Sequence, residues 1–453
     1  MQSTIGFHGG VGSVTGSNFL LDVGEAAFLI DCGLIQGDRF AKTANADPFV
    51  YNPADIDVLL VTHAHADHIG RIPKLVRDGF SGKIISTKAT RSLAAVMLKD
   101  AYKVMLYEEE RYGNERLYEE KDIDNSFSLW EGIDYHQKVE LPGDVEATFM
   151  DVGHILGSAT ISLVRNDKKI VFTGDIGNVP QPLLSPPEIP TDYDYMVMES
   201  VYGDRLHEEV EERTELLKGY IQRTQQKKGT LIIPAFSLER TQGMLLEINN
   251  LVESGQIEPI PTFLDSPLAI SVTEMYRTYQ SYLRADIQEQ IKGGDDIFDF
   301  PKLSFTRTVE SSRAINREKG AKIIIAGSGM SHGGRILEHE RNYLEDPDTT
   351  LLLVGYQSVG SLGRLLHDGA KKVRINDTDV KVRAEVARIR GYSGHADRDQ
   401  LVEFVATGGD KAKQVFVTMG EEKSSLFLVQ RLRDYLGVNA TAPSLNDEVV
   451  IEF

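Results

Sequence analysis

Short runs of β-branched and aliphatic residues recur along this chain, and each run ends in a loop that carries glycine, histidine or aspartate. Runs of this length, bounded by turn residues, predict buried strands rather than helices. Longer stretches of helical pattern lie between several of them, at 89–112 and 210–227. Strands that alternate with helices predict an α/β architecture. The predicted strands are IDVLLVTH (56–63), KIVFTGD (169–175), YDYMVMES (193–200), TLIIPAFS (230–237), KIIIAGSGM (322–330), TLLLVGYQS (350–358) and QVFVTMGE (414–421).

One segment predicts that part of the sheet structure is antiparallel. In SLVRNDKKIVF (162–172) two apolar runs flank an Asn-Asp pair, which is the pattern of a strand, a tight turn and a returning strand. Polar residues gather just after the predicted strand ends, where α/β proteins place their chemistry. Functional residues are therefore expected at those positions.

Composition places this chain among ordinary globular proteins. Its 453 residues suggest two or three domains, and 41% hydrophobic with 26% charged residues provide enough material for a core. The formal net charge is −19, so the chain as a whole would repel a polyanion. A nucleic-acid substrate would have to be met by a local basic groove or by metal ions.

Cysteine content and hydropathy narrow the class further. Cys32 is the single cysteine, which excludes a disulfide framework and a cysteine-rich metal site. No basic segment followed by an apolar stretch opens the sequence, and no run approaches 18 continuous apolar residues. We therefore expect a cytoplasmic protein without a membrane span.

Three histidines and one aspartate stand within six residues, HAHADH (63–68), directly after a predicted strand. Burying so many polar rings as ordinary core is costly, because each ring needs a hydrogen-bond partner. The small alanines between them allow a tight loop that directs alternate side chains to one point. Imidazole and carboxylate groups without thiolate suit a catalytic zinc site, in which an open position holds water.

Two further ligand candidates follow later in the chain. His154 lies in DVGHILGSA (151–159), and Asp175 lies in FTGDIGN (172–178). Alone, either residue would commonly cap a backbone turn. Together with the first motif they complete a two-metal set, in which Asp175 bridges two ions. The first ion would be held by His63, His65 and His154, and the second by Asp67 and His68.

These three motifs, in this order and at these spacings, resemble the metallo-β-lactamase superfamily. MESVYGD (198–204), GHAD (394–397) and Gly420-Glu421 resemble motifs A, B and C of the β-CASP nucleases. The resemblance covers essentially the whole chain and is specific to one branch. That branch contains the endonuclease subunit of the eukaryotic cleavage-and-polyadenylation factor and its prokaryotic ribonuclease relatives.

The resemblance implies an α/β fold, an αβ/βα metallo-β-lactamase sandwich with an inserted α/β β-CASP domain. The first part of the sandwich domain would span 1–205, the insertion 206–382 and the C-terminal part 383–453. The implied activity is a zinc-dependent ribonuclease, in which metal-activated hydroxide hydrolyses phosphodiester bonds of single-stranded RNA during RNA processing or decay. We expect RNA as the partner and no membrane, and we leave a homodimer open.

The same resemblance implies catalytic roles for three residues. His395 would protonate the departing 3′-oxygen as general acid, and Glu199 would orient that imidazole and raise its basicity. Asp67 would be both a ligand and the residue that orients the attacking water. The products would carry 5′-phosphate and 3′-hydroxyl ends.

Met419 departs from the family pattern, which has a histidine just before Gly-Glu as a ligand of the second metal. A thioether is soft and neutral and binds zinc poorly among oxygen and nitrogen ligands. We therefore expect one or two zinc ions per chain, with the second site weak. Met419 would neighbour that second metal, and it also fits the wall of the site.

Substrate contacts are predicted in two glycine-containing loops, GSGMSHGGR (327–335) and QSVGSLGR (357–364). Glycine permits close backbone approach to phosphate, and arginine pairs with its oxygens. Outside the family context both loops fit ordinary turns. Within it, the candidate substrate-binding residues are Arg335, Arg364 and, with weaker support, Ser331.

Three other functions compete with the ribonuclease. A hydrolase of small thioesters or lactams would need neither the long insertion nor the paired Glu199 and His395. A DNA nuclease of the related repair branch would have aspartate at motif A and an apolar residue at motif C, so Glu199 favours RNA whereas Met419 does not. An RNA-binding protein with weakened catalysis stays open because of Met419.

Overall fold

The structure is a computed structural model that describes residues 2–37, 41–207, 210–355, 357–358, 360–389, 391–409 and 411–453. The chain divides into two compact units. The first unit consists of Met1–Gln181, Ser185–Leu206 and His395–Phe453, and the second consists of Pro182–Leu184 and His207–Gly394. The first and third segments of the first unit are far apart in sequence, which is the arrangement that an inserted domain produces.

Strands are found at every run that the apolar pattern predicted, so these predictions are confirmed. In chain order the strands are β1 Gln2–Gly9, β2 Asn18–Asp22, β3 Ala27–Ile30, β4 Val58–Leu60, β5 Lys83–Thr87, β6 Trp130–Ile133, β7 Val139–Leu141, β8 Val145–Asp151, β9 Ala159–Arg165, β10 Lys168–Phe172, β11 Tyr195–Met198, β12 Thr230–Pro234, β13 Thr262–Leu264, β14 Leu303–Phe305, β15 Lys322–Ala326, β16 Thr350–Val354, β17 Lys372–Ile375, β18 Thr378–Lys381, β19 Glu385–Ile389, β20 Gln414–Val417, β21 Ala440–Thr441 and β22 Glu448–Glu452.

The two predicted helices are also present, as α4 and α6. In chain order the α-helices are α1 Ala41–Ala46, α2 Ala66–Ile69, α3 Ile72–Arg77, α4 Lys88–Tyr112, α5 Glu120–Ser128, α6 Val210–Lys227, α7 Arg240–Glu253, α8 Pro267–Thr278, α9 Ala285–Lys292, α10 Val309–Ala314, α11 Ile336–Tyr343, α12 Leu362–His367, α13 Arg398–Gly408 and α14 Glu422–Leu436. Among the described residues, no helix has the length and apolar character that crossing a bilayer requires.

The first unit contains two sheets of seven strands, in the orders β22-β1-β2-β3-β4-β5-β6 and β21-β20-β11-β10-β9-β8-β7. Each sheet is partly antiparallel and partly parallel. The predicted hairpin is β9 with β10, and Asn166 in its turn has a φ of 52°, a conformation that asparagine tolerates. The antiparallel contribution predicted from this segment is therefore confirmed.

The two sheets enclose one apolar cluster, to which Phe7 and Phe28 contribute from the first sheet and Phe149 and Phe172 from the second. The packing on both faces of β11 explains why its sequence is a continuous apolar run rather than an alternating one. Tyr195 and Val197 join this inner cluster, whereas Met196 and Met198 join a second cluster with residues of α13 and α14. Because both faces of the strand are covered, no position is free to be polar. These layers form the predicted sandwich.

The second unit contains a six-stranded sheet in the order β14-β13-β15-β12-β16-β19, and its paired strands are all parallel. A separate hairpin joins β17 to β18. Buried aliphatic residues of α11 and α12 join the strands in one core. Strand β19 lies beyond the predicted boundary at 382 and pairs with β16 in this sheet. The limits 1–205, 206–382 and 383–453 stay predictions.

Candidate metal centre

The predicted ligands lie in loops that follow strands of both sheets of the first unit. The HAHADH loop leaves β4 and turns into the short helix α2. His154 lies in the turn between β8 and β9, and Asp175 follows β10. Gly174 precedes that aspartate with a φ of 58°, and a Cβ atom there would lie 2.8 Å from Cβ of Thr62. Only glycine lets the end of β10 approach the start of the histidine loop this closely.

Replacing Gly174 by alanine should displace Asp175 and lower the affinity for metal. The added methyl group would meet the Thr62 side chain, and the left-handed backbone alone costs about 1–2 kcal/mol. Metal content measured by mass spectrometry, together with urea unfolding, checks this. Gly113→Ala is the matched control, because Gly113 has a φ of 69° and, among the described residues, nothing lies within 4 Å of the place that its Cβ atom would take. Equal metal content in both variants would contradict the prediction.

Four donor groups converge on one point in this structure. His63, His65, His154 and Asp175 each offer one donor atom, and these four atoms all lie within 4.8 Å of one another. Nδ1 of His65 lies 3.1 Å from Nε2 of His63 and 3.2 Å from Nε2 of His154. Oδ2 of Asp175 is 3.4 Å from Nε2 of both His63 and His154.

These separations fit the edges of a tetrahedral zinc site. Ligands about 2.0–2.1 Å from a tetrahedral ion are about 3.3–3.4 Å apart. The rings of His63 and His65 are also inclined by 85°, and those of His65 and His154 by 72°, so neighbouring rings meet edge to face instead of stacking. The residues present therefore fit a metal ion held by three imidazoles and one carboxylate.

His68 faces the second oxygen of the same aspartate. Its Nε2 lies 3.4 Å from Oδ1 of Asp175 and is buried without a hydrogen-bond partner among the described residues. A buried polar atom without a partner is costly, and a cation is one group that would satisfy it. Asp175 thus presents one oxygen to the three-histidine group and the other to His68, which is the placement that a bridging carboxylate needs.

Asp31 supports His68 from behind and is a residue that the sequence reasoning missed. Its Oδ2 atom lies 2.6 Å from Nδ1 of His68 and accepts a hydrogen bond from the Thr62 hydroxyl, while its Oδ1 atom accepts one from the Thr62 backbone N–H. A carboxylate on the far nitrogen fixes the tautomer and the orientation of a ligating imidazole. Asp31 is buried at the end of β3, and its only signal in the sequence is that it follows a strand.

The pKa values of these histidines are shifted in two directions. Burial and the neighbouring His68 lower the pKa of His63, and burial with His63 and His154 lowers the pKa of His65 well below its usual value. Both rings are therefore neutral at pH 7 and have a free lone pair for a cation. Burial opposes the charged form of His68, but Asp175 and Asp31 outweigh it and raise its pKa well above the usual value.

The two carboxylates of the cluster differ as well. Burial favours the neutral acid of Asp175, yet its electrostatic and hydrogen-bond interactions with His68 and His63 hold its pKa well below the usual value. Burial raises the pKa of Asp67, and Asp175 raises it further while His68 lowers it. Asp67 thus interacts with the same group of charges, and its assignment as a second-metal ligand stays a prediction.

Met419 follows β20 and packs into the apolar cluster between the two sheets, where it is 1% exposed. Its backbone has a φ of 46°, and its N–H donates to the carbonyl of Gly10 at 2.6 Å. The thioether therefore occupies a place in the core, as a wall residue does. A weak second metal site, with Asp67, His68 and Asp175 as its remaining ligands, stays a prediction.

Glu199 and His395 form a pair beside this centre. Nδ1 of His395 lies 3.2 Å from Oε1 of Glu199 and 3.9 Å from Oδ2 of Asp175. The Glu199 carboxylate is fully buried and also accepts hydrogen bonds from the backbone of Ile176 and Val201. Burial opposes protonation of His395, but Glu199 outweighs it and raises the pKa of that imidazole. The pair can hold a proton beside the ligands.

The backbone fixes the position of His395. It forms an isolated antiparallel bridge with Gly177, and the N–H of Ala396 donates to the carbonyl of Ile176 at 2.7 Å. Ile176 and Gly177 directly follow Asp175 in the sequence. The segment that carries a metal-ligand candidate therefore also holds the imidazole that is the candidate general acid.

The predicted substrate residues belong to the second unit. The Arg335 guanidinium donates to Oδ1 of Asp265 at 2.7 Å and to the carbonyls of Thr306 and Arg307. Ser331 is buried and donates its hydroxyl to Glu340, whose pKa burial raises to about 7. Both side chains thus have partners within the protein, and their role as phosphate contacts stays a prediction.

Arg364 begins the last turn of α12 and pairs with Asp368 at 2.8 Å. Both side chains are partly exposed, 37% for the arginine and 52% for the aspartate. An exposed pair of this kind exchanges partners at little cost. Arg364 can therefore exchange Asp368 for a phosphate, and this contact stays a prediction. Val359, in the same loop, lies outside the described residues.

Replacing Asp265 by asparagine should lower the free energy of unfolding by about 3 kcal/mol, because the buried carboxylate pairs with Arg335. Burial opposes its charge, but hydrogen bonds from His339, Ser312, Thr306 and Arg335 lower its pKa to about 2. The depressed pKa means that the stabilisation is complete above about pH 4 and disappears as the pH falls towards 2. Urea unfolding from pH 7 to pH 3 checks both effects.

Asp368→Asn is the control for this experiment, because Asp368 also pairs with an arginine but is exposed. We expect its unfolding to match that of the unmodified protein. An Asp265→Asn variant that unfolds like the control would show that the buried network contributes nothing, contrary to the expectation.

Comparison with known proteins agrees with the geometry. A metallo-beta-lactamase superfamily domain model matches residues 20–185, a Beta-Casp domain model matches 241–366, and the model of a Zn-dependent metallo-hydrolase RNA specificity domain matches 379–443. A crystal structure of a protein of unknown function from Enterococcus faecalis V583 has a TM-score of 0.57 at 12% identity over 100% of both chains, which shows likeness of fold alone.

Fold and site together define a metal-dependent hydrolase. The chain is 34% identical to Ribonuclease TTHA0252 of Thermus thermophilus over 93% of this chain and 94% of that protein, and 30% identical to an RNase J-like protein of Methanocaldococcus jannaschii over 96% and 97%. Transcription termination factor FttA of Methanosarcina mazei is 30% identical over 96% of this chain and 69% of that protein. The chain belongs to the β-CASP family of the metallo-β-lactamase superfamily, which confirms the resemblance seen in its motifs.

Proposed function

We propose that this protein is a zinc-dependent ribonuclease that hydrolyses phosphodiester bonds of single-stranded RNA. The observation that carries the proposal is the convergence of three imidazoles and one carboxylate beside the Glu199–His395 pair. Relatives named as ribonucleases align over nearly the whole chain, which supports RNA as the substrate class. The residues would hold zinc because neutral imidazole with carboxylate is a donor set that zinc favours.

A bound zinc ion supplies a water molecule activated near neutral pH and positive charge for the phosphate oxygens. Asp67 accepts a hydrogen bond from the attacking water and directs its lone pair at phosphorus. As the bond from phosphorus to the 3′-oxygen breaks, His395 donates its proton to that oxygen. Glu199 holds the imidazole in position and favours its protonated form. The products carry 5′-phosphate and 3′-hydroxyl ends.

The test is cleavage of end-labelled single-stranded RNA with matched DNA alongside, each with and without chelator. Asp67→Ala is the control for contaminating nuclease. RNA cutting that chelator and the substitution both abolish supports the proposal, and mass spectrometry of the purified protein identifies the metal and its stoichiometry. The lengths of the labelled products distinguish endonucleolytic from 5′-exonucleolytic action.

Two outcomes would redirect the assignment. Preferential cutting of DNA would favour a nuclease of the repair branch. RNA binding without cutting, in folded protein that contains zinc, would favour a binding protein with weakened catalysis. The cytoplasmic location and a homodimer stay predictions, and light scattering of the purified protein tests the second.

A further inference from the structure

Helix α14 begins three residues after Met419 and carries a row of two exposed rings with a partly exposed guanidinium between them. Phe427, Arg431 and Tyr435 are spaced at i, i+4 and i+8, which places them on one helix face. The Arg431 guanidinium lies 5.5 Å from the centroid of the Phe427 ring and 5.1 Å from that of Tyr435. We call these three side chains the aromatic ladder. Phe427 is 36% exposed and Tyr435 69% exposed.

The buried face of α14 adjoins the aromatic ladder and anchors the helix beside the residue that follows Glu199. Leu428 and Leu432 are buried in the cluster that covers the second sheet. At the start of the helix, Ser424 donates to the carbonyl of Ser200, and the hydroxyls of Ser425 and Ser200 are 2.8 Å apart. Ser200 directly follows Glu199, so Phe427 lies three residues beyond a serine that contacts the sequence neighbour of Glu199.

A lone exposed ring is ordinary, and ring–guanidinium contacts along a helix stabilise it modestly. The aromatic ladder offers more than that, because two rings that are 36% and 69% exposed stand on either side of one cation. Planar bases stack on such rings, and arginine pairs with phosphate or stacks on a base. Phe427 and Tyr435 are about 12 Å apart along the helix axis, a span of about three or four stacked nucleotides.

The charges around the aromatic ladder differ from those around a similar group on α4. On α4, Arg111 also lies against the rings of Tyr107 and Tyr112, but three consecutive glutamates, 108–110, stand between them and would repel phosphate. On the ladder side of α14 stand Lys423 and Arg431 against Asp434, whereas Arg433 and Glu422 lie on the far side of the helix. Asp399 is 3.9 Å from Arg431 and also pairs with Arg398, which interacts with Tyr435. In a chain of net charge −19 this face suits a polyanion better than the α4 face does.

We propose that the aromatic ladder binds single-stranded RNA by base stacking, as a subsite for nucleotides away from the bond that is cut. The inference rests on the proposed ribonuclease function and adds the surface that the strand follows. The matched family model over residues 379–443, described as an RNA specificity domain, includes all three residues of the ladder.

The test is steady-state cleavage of RNAs of increasing length by a Phe427→Ala, Tyr435→Ala double variant. KM should rise about tenfold or more for RNAs long enough to reach the ladder, since each stacked base contributes substantially to affinity. KM for the shortest cleavable RNA and kcat for all of them should be unchanged. Phe427→Tyr with Tyr435→Phe, which keeps both rings, should restore the affinity.

The control is Tyr107→Ala with Tyr112→Ala, which removes the matched rings on α4 and should leave KM unchanged. With long RNA that lacks bases at the nucleotides that reach the ladder, KM should be the same for the parent protein and for the α14 double variant. A difference that persists without bases would overturn stacking. Equal KM values for long RNA in the parent and the variant would overturn the subsite itself.

Two further measurements keep this inference separate from the proposed function. Fluorescence anisotropy with the same RNAs, in the Asp67→Ala background, tests the ladder through affinity whether or not the parent protein cuts RNA. Light scattering tests whether the double variant changes the oligomeric state. A lost dimer with unchanged RNA affinity would make the ladder a contact between two copies and would overturn the inference.

Discussion

Asp175→Asn should lower RNA cleavage by at least about a thousandfold, which corresponds to about 4 kcal/mol of lost transition-state stabilisation. The carboxylate uses both oxygens: Oδ2 faces His63 and His154, and Oδ1 faces His68. Asparagine preserves the shape but removes the negative charge and replaces one acceptor by an N–H donor. The three histidines would then lack the anion that completes the donor set.

Metal content distinguishes this cause from a general loss of structure. We expect purified Asp175→Asn to contain less zinc than the parent protein, and to gain less thermal stability when zinc is added. Asp122→Asn is the control, because Asp122 is also buried but accepts a backbone hydrogen bond in the capping box of α5. Asparagine can make the same contact, so metal content and activity should be unchanged.

Full metal content and full activity in Asp175→Asn would mean that the ion is held by the histidines alone. Loss of about half the metal with residual cutting would mean that the aspartate serves mainly the His68 side. Either result would remove the bridging role.

The sequence predicted the strands and the histidine loop because both are local patterns. A short apolar run such as YMVM in β11 can be read without knowing what covers it, since burial on both faces leaves no polar position. The HAHADH motif places its donors within six residues, so no long-range information is needed to bring them together.

Residues that act from a distance carried no such pattern. Asp31 contacts His68 from 37 positions earlier in the chain and looks like any aspartate at a strand end. Asp265 accepts a hydrogen bond from Arg335, which lies 70 positions later in the chain. The sequence analysis had predicted that this guanidinium binds phosphate. Glycine-rich loops with arginine predict a place where phosphate could approach, but they do not predict which carboxylate lies beside the arginine.

Met419 illustrates a different limit. The sequence shows a side chain that is a poor ligand at a ligand position, but not the direction in which it points. That direction depends on a φ of 46° and on the apolar cluster between the sheets, where the thioether is packed. Both features come from the sandwich as a whole and not from the residues around position 419.

His395→Gln should lower kcat about 100-fold to 10,000-fold while zinc content stays that of the parent protein. The imidazole is 20% exposed, and its Nδ1 atom faces Glu199 and Asp175. Its ring lies 4.6 Å from that of His154, but it is not one of the four donors of the three-histidine group. Glutamine has similar reach but cannot carry a proton to a leaving oxygen. KM should change little, because no binding contact is assigned to this ring.

Glu199→Gln should lower kcat by a smaller factor, since the amide oxygen can still face His395 although the charge and one acceptor for the backbone N–H groups of Ile176 and Val201 are lost. If the two residues act as one unit, the double variant should be no slower than His395→Gln alone. Effects that multiply would instead mean that Glu199 acts independently of His395, for example by holding the backbone of Ile176 and Val201.

An RNA with sulfur in place of the departing 3′-oxygen tests the proton transfer itself. A thiol ionises near pH 8.5, so a thiolate can leave without being protonated. His395→Gln should therefore cut this substrate at close to the parent rate while it cuts ordinary RNA slowly, and Asp175→Asn should be slow on both. If His395→Gln is equally slow on both substrates, the imidazole contributes by position or charge rather than by donating a proton, because only proton donation becomes unnecessary when sulfur leaves.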